Sequence, residues 1–112
     1  MAHIKDSGKR QSYPSGMVRD VQDGKVMYTL IRKGPMYKRW AEHLTEGVKK
    51  YGKDNWTLAN SQEEMDRFYE SACRHFEQWL AGEDDEDHAA ACIFNINAVE
   101  YLKGRLNEEV SK

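Results

Sequence analysis

Cysteine is nearly missing from this chain. There are two in 112 residues, Cys73 and Cys92, at apolar helical positions and without CxxC spacing. This excludes a disulfide framework and fits small core residues in a reduced, cytoplasmic protein. No apolar run approaches the ~20 residues of a membrane span. The start, MAHIKDSGKR, is polar and lacks a signal-peptide core. No GxxxxGK[ST] loop and no GxGxxG occurs, which excludes a P-loop and a Rossmann site. No Ser-His-Asp or Cys-His set stands out. A one-sided charge is absent too: the net charge of −2 gives no global pull toward nucleic acid or membrane.

The charge that is present is unevenly placed. Residues 1–53 carry 12 Lys/Arg against 5 Asp/Glu, whereas residues 54–112 carry 5 against 14. A basic half and an acidic half suit an anionic ligand shared between cationic side chains and metal ions. They also suit two halves of one domain attracting each other. The length is that of one domain with a modest core and little stability to spare, so oligomerisation is expected.

Residues 1–14 are polar, end at Pro14 and read as a mobile arm. Residues 15–112 read as one all-α domain. Asp23-Gly24 signals a turn. Lys25 to Ile31 (KVMYTLI) mixes β-branched and aromatic residues, as a short strand or an extended segment laid over the helices would. A first helix opens at Pro35 and stops at Gly52, with Met36, Trp40, Leu44, Val48 and Tyr51 as its apolar stripe. A second starts from a capping box, Ser61 with Glu64, and closes at Gly82. Its stripe is Met65, Phe68, Tyr69, Ala72, Cys73, Phe76 and Leu80, bordered by His75 and Trp79. A third begins within Asp84–Asp87 and continues to about Asn107. It is apolar on all sides from Ala89 to Phe94, which requires burial on most faces. The expected fold is all-α: three main helices in a small bundle.

Chemistry concentrates between Ser71 and Tyr101. The acidic turn Glu83-Asp84-Asp85-Glu86-Asp87 places five carboxylates at a helix start. Capping uses one or two of them, and a divalent ion explains the rest. A plain solvated loop is the alternative. His75 and His88 flank the turn, each a ligand or a satisfied core imidazole. Asn95 shares a helical face with His88, and a buried amide needs a partner or a ligand. Arg74 is a candidate phosphate clamp or an exposed helix arginine. Glu46 is a further metal candidate, with a solvated pair to Lys49 or Lys50 as its alternative. Arg19, Lys25 and Lys50 are basic residues near glycines that suit phosphate oxygens. Trp56 and Trp79 offer stacking faces for a base, or else edge the core.

Four motifs, in order, carry a resemblance: SGMVRDVQDGK (15–25), KYGKDNW (50–56), SACRHFEQWLAGE (71–83) and DEDHAAACIFN (85–95). Together they resemble phage-encoded dATP/dGTP diphosphohydrolase-like proteins, which are similar to MazG-type all-α nucleotide pyrophosphatases. The resemblance implies oligomers of packed helices. It also implies Mg²⁺- or Mn²⁺-dependent hydrolysis of a purine deoxynucleoside triphosphate to its monophosphate and pyrophosphate.

MazG-type enzymes hold metal on an ExxE helix followed by an ExxD helix, and this chain departs from that pattern. Glu70 and Glu77 are seven apart, and the acidic pairs Glu83-x-x-Glu86 and Asp84-x-x-Asp87 stand at a helix start. Either the metal set is rearranged around Glu83, Asp84, Asp87 and His88, with Glu46, or metal-dependent catalysis is lost. In the first case Glu83, Asp87 and His75 are the expected catalytic groups. Arg74, Asn95, Lys50, Lys25 and Arg19 are then expected to bind the substrate. In the second case the chain is a nucleotide-binding or sequestering phage protein that counters a host defence. The nucleotide and further copies of the chain are the expected partners, in the cytoplasm of an infected cell, with no membrane and no direct nucleic-acid binding.

Overall fold

The computed structural model describes residues 4–111, with side chains as far as Glu108. The first three residues of the expected arm lie outside that range. The chain divides into two compact units, one ending at Leu30 and one beginning at Ile31.

The N-terminal unit holds a two-stranded antiparallel hairpin, β1 (Arg10–Ser12) and β2 (Val18–Asp20). Arg10 stands opposite Asp20, and Ser12 opposite Val18. The connection is Tyr13-Pro14-Ser15-Gly16-Met17. Pro14 presets the first turn residue, and Gly16 takes φ 95°, a region that favours glycine. Tyr13 N–H donates to the Met17 carbonyl at 3.0 Å and Gly16 N–H to that of Tyr13 at 2.9 Å. Arg10 forks onto both carboxylate oxygens of Asp6, at 2.8 and 2.9 Å. The stretch Lys25–Ile31 is not a strand: Tyr28–Arg32 is a 3₁₀ turn. With no strand beside it to take its backbone groups, a local turn satisfies them.

The helical unit contains α1 (Met36–Tyr51), α2 (Gln62–Leu80) and α3 (His88–Ser111). The expected all-α fold is therefore observed, with the small hairpin added. α1 and α2 each pack on α3, and so does a 3₁₀ turn at Asn55–Leu58. α3 is the central element because its apolar residues point in all directions. Ala90, Ala91, Ala98, Val99 and Leu102 are buried along it. Arg105 donates to the carbonyls of Thr57 (2.7 Å) and Ala59 (3.2 Å), fastening the 3₁₀ turn to α3. Trp56 then lies edge-on to Phe94 and Tyr101, with ring centroids 5.8 and 5.1 Å away.

The ends of α2 and α3 are fixed locally. Ser61 Oγ accepts from Glu64 N–H (3.2 Å), and Glu64 Oε1 accepts from Ser61 Oγ (2.7 Å) and Asn60 N–H (3.0 Å). At the far end Gly82 has φ 76°. Its N–H reaches the Trp79 carbonyl and that of Glu83 reaches Gln78, both at 3.1 Å, which closes α2 in a Schellman arrangement. Asp87 caps α3 by accepting from Ala90 N–H at 3.1 Å. Its two carboxylate oxygens also meet Arg39 of α1, at 2.7 and 2.6 Å. That guanidinium holds the Asp87 carboxyl down to about 2.

Two expectations about α2 are corrected. The covered face is Met65, Phe68, Ala72 and His75. Tyr69, Cys73, Phe76 and Leu80, expected in the same stripe, are exposed. At 100° per residue the two rows lie about 90° apart, and α3 covers only one. Cys73 is accordingly no core residue. Cys92 is half-buried, and burial raises its thiol pKa.

Removing the α2 cap with Ser61→Ala should cost about 1 kcal/mol, read as a lower urea midpoint with an unchanged slope. Arg39→Met should cost about 1 kcal/mol near neutral pH, since both partners of the pair are more than a third exposed and solvent screens them. Asp87 has a folded pKa below its ordinary 3.8, so its contribution is present above that value and is lost as pH falls from about 4 toward about 2. Urea midpoints of Arg39→Met should therefore fall less steeply across that window than those of the parent chain.

Candidate functional site

The turn between α2 and α3 brings together two buried imidazoles. His75 is on the last turns of α2, and His88 is the first residue of α3. Their relative exposures are 9% and 2%, so neither ring is solvated. His75 Nδ1 lies 2.9 Å from His88 Nδ1, and His88 Nε2 lies 2.7 Å from Asp85 Oδ1. Glu86 Oε1 stands 3.6 Å from His75 Nδ1.

These contacts assign the tautomers. His88 Nε2–H donates to the Asp85 carboxylate, which leaves its Nδ1 as an acceptor. His75 Nδ1–H then donates to that nitrogen, and His75 Nε2 keeps a lone pair. Burial holds the His75 pKa below the usual 6.5, against the opposing charge of Glu86. The hydrogen bond from His88 holds Asp85 below the usual carboxylate range. The result is a hydrogen-bonded pair of imidazoles backed by a carboxylate.

Two sets of side chains place potential ligand atoms within 4.8 Å of one another: His75, Glu86 and His88, and Glu83, Asp85 and His88. His75, His88 and Glu83 were legible from the sequence. Asp85 and Glu86 were visible there only as members of an acidic run. Asp85 stands three residues before His88, and Glu86 two before it. The backbone of the turn decides which carboxylate reaches the ring.

The other expected site residues are distributed as follows. Asp84 is exposed and belongs to neither set. Asp87 faces Arg39 and the start of α3. Glu46 is exposed and bonded to Lys49 at 2.9 Å. Arg74 is exposed on α2 beside His75, and its charge lowers the pKa of that ring. Lys50 is exposed, with its ammonium 5.6 Å from the Tyr51 ring centroid. Arg19 and Lys25 belong to the N-terminal unit, where they line a cavity of about 320 Å³ with Tyr13 and Asp20.

Asn95 is buried two turns along α3 from His88. Its Nδ2 donates to the Ala91 carbonyl at 2.8 Å. It lines a recess of about 650 Å³ between α1, α2, α3 and the 3₁₀ turn at Asn55–Leu58. His43, Trp56, Phe68, Ser71 and Phe94 share that recess. His43 went unassigned in the sequence because nothing local distinguishes it from an edge residue of α1. Its ring is tilted against Phe94, with centroids 5.2 Å apart.

Among the described residues no helix is long and apolar enough to cross a membrane. No curated protein and no solved structure matches the chain. The family described as dATP/dGTP diphosphohydrolase, N-terminal, matches residues 15–110, which is most of the chain. The motifs around the acidic turn and the helix pair that carries them fall inside that match, and the chain belongs to this family.

Proposed function

We propose that the turn between α2 and α3 is the catalytic centre of a nucleotide pyrophosphohydrolase. The substrate is a purine deoxynucleoside triphosphate, and the products are its monophosphate and pyrophosphate. The observation that carries this reading is the convergence of two buried imidazoles with Glu83, Asp85 and Glu86 in a chain of this family. Buried titratable groups with a specific charged partner are the arrangement in which functional sites are found.

The side chains suit a divalent ion. Nitrogen ligands disfavour Mg²⁺, which takes oxygen, and suit a first-row transition ion such as Mn²⁺. His75, His88 and Glu86 would hold it, with Glu83 nearby. When bound, such an ion neutralises phosphate charge and lowers the pKa of attacking water.

The remaining work falls to the protein. Asp85 fixes the His88 ring through Nε2 and keeps the other nitrogen available. Arg74, exposed beside His75, offers a guanidinium to phosphate oxygens. Homo-oligomerisation is part of this proposal. The exposed row Tyr69, Cys73, Phe76 and Leu80 on α2 suits a second copy, and such a row in water is otherwise unfavourable. The enzyme would act in the cytoplasm of an infected cell.

One observation favours the non-catalytic alternative, a protein that binds and sequesters a nucleotide. His75, His88 and Asp85 satisfy one another without an ion. Turnover decides between the two. Purified protein incubated with dATP or dGTP and Mn²⁺ should release monophosphate and pyrophosphate, faster than with Mg²⁺. His75→Ala, His88→Ala and Glu86→Gln should each lower turnover by about 10- to 100-fold. Glu46→Gln and Asp84→Asn should stay near the parent rate. Nucleotide binding without release of pyrophosphate under either ion would leave sequestration as the function.

A further inference from the structure

The recess lined by Asn95 takes no part in the proposed chemistry, yet it stands beside it. Ser71 in its wall precedes His75 by one turn of α2, and Asn95 follows His88 by two turns of α3. These offsets are about 6 Å and about 10 Å along the helix axes. The recess and the imidazole pair are therefore neighbours along α2 and α3.

Its volume of about 650 Å³ suits a small organic ligand. Part of its wall is aromatic, with rings set at angles to one another, and Leu44, Val48, Glu64 and Arg67 line the rest. Phe94 is edge-on to Trp56 and to Phe68, with centroids at 5.8 and 6.5 Å, and tilted against His43 at 5.2 Å. Such walls suit a flat ring. One buried polar group stands among them. Asn95 is 6% exposed, and its carbonyl oxygen accepts no hydrogen bond among the described residues. An amide presented in this way reads the amino edge of a purine.

We infer that this recess is the base subsite: the purine ring lies among Trp56, Phe94 and His43, and Asn95 accepts a hydrogen bond from the base. The deoxyribose and phosphates then extend along the helix pair toward His75 and His88. The assignment rests on the catalytic reading above.

Gly47 provides a test. It lines the recess from α1, and a Cβ built there meets nothing within 4 Å. Gly47→Leu therefore sends a side chain into the recess from an unobstructed Cβ, and replacing a helix-interior glycine should hold or raise the melting temperature. Binding is measured by calorimetry with α,β-methylene dATP and dGTP, which cannot release pyrophosphate, and with inorganic tripolyphosphate, all with Mn²⁺.

The subsite assignment predicts that Gly47→Leu weakens both nucleotides by about tenfold or more and leaves tripolyphosphate within about twofold. In the parent chain, with diamagnetic Mg²⁺ in place of Mn²⁺, the base H8 proton should show nuclear Overhauser contacts to the Trp56 and Phe94 rings. Unchanged nucleotide affinity in Gly47→Leu, or a bound base without those contacts, overturns the subsite while leaving the phosphate site standing. Unchanged affinity with an altered oligomeric state would make the recess a contact surface between copies. If neither nucleotide nor tripolyphosphate binds the parent chain, the catalytic reading fails and takes this one with it.

Discussion

α3 cannot face water. From Ala89 to Phe94 it is apolar in every direction, and a stretch of that kind is stable only when other elements cover it. The helical unit is organised to meet that demand. α1 covers one side, α2 another, and the 3₁₀ turn carrying Trp56 a third. The cover is completed by polar contacts at both ends of the helix. Arg105 fastens the 3₁₀ turn, and Asp87 joins the start of α3 to Arg39. The site inherits its geometry from this arrangement. His88 is buried because it begins the central helix, and His75 is buried because it lies on the face of α2 turned toward it.

Much of this is local and was open to reading in the sequence. Ser61 with Glu64, Gly82 after Leu80, and the all-round apolarity of α3 each depend on a few neighbouring residues. So does the shared face of His88 and Asn95. What escaped reading depends on distance or on backbone detail. Arg39 and Asp87 are 48 residues apart, and nothing in either neighbourhood names the other. The hairpin was missed because its two strands are three residues each and mostly polar. In α2 the apolar residues form two adjacent rows, and composition does not say which row the neighbour covers.

The acidic turn illustrates the same limit at finer scale. Five carboxylates in sequence look interchangeable, yet they differ in role. Asp87 caps a helix and holds an arginine, Asp85 orients an imidazole, and Glu86 stands beside the other ring. The turn backbone, closed by Gly82 on one side and capped by Asp87 on the other, makes these assignments. Family membership covers this stretch but not the roles of its individual carboxylates. Those come from the contacts.

The placement of His88 has a further consequence. It occupies the first turn of α3, and terminal turns are where helices open most readily, well below global unfolding. A fraying of that one turn would separate the two imidazoles while the Leu102 region stayed packed. Asp87 and Arg39 act against this opening. The geometry of the site therefore depends on a single helical turn, which Asp87 and Arg39 hold in place.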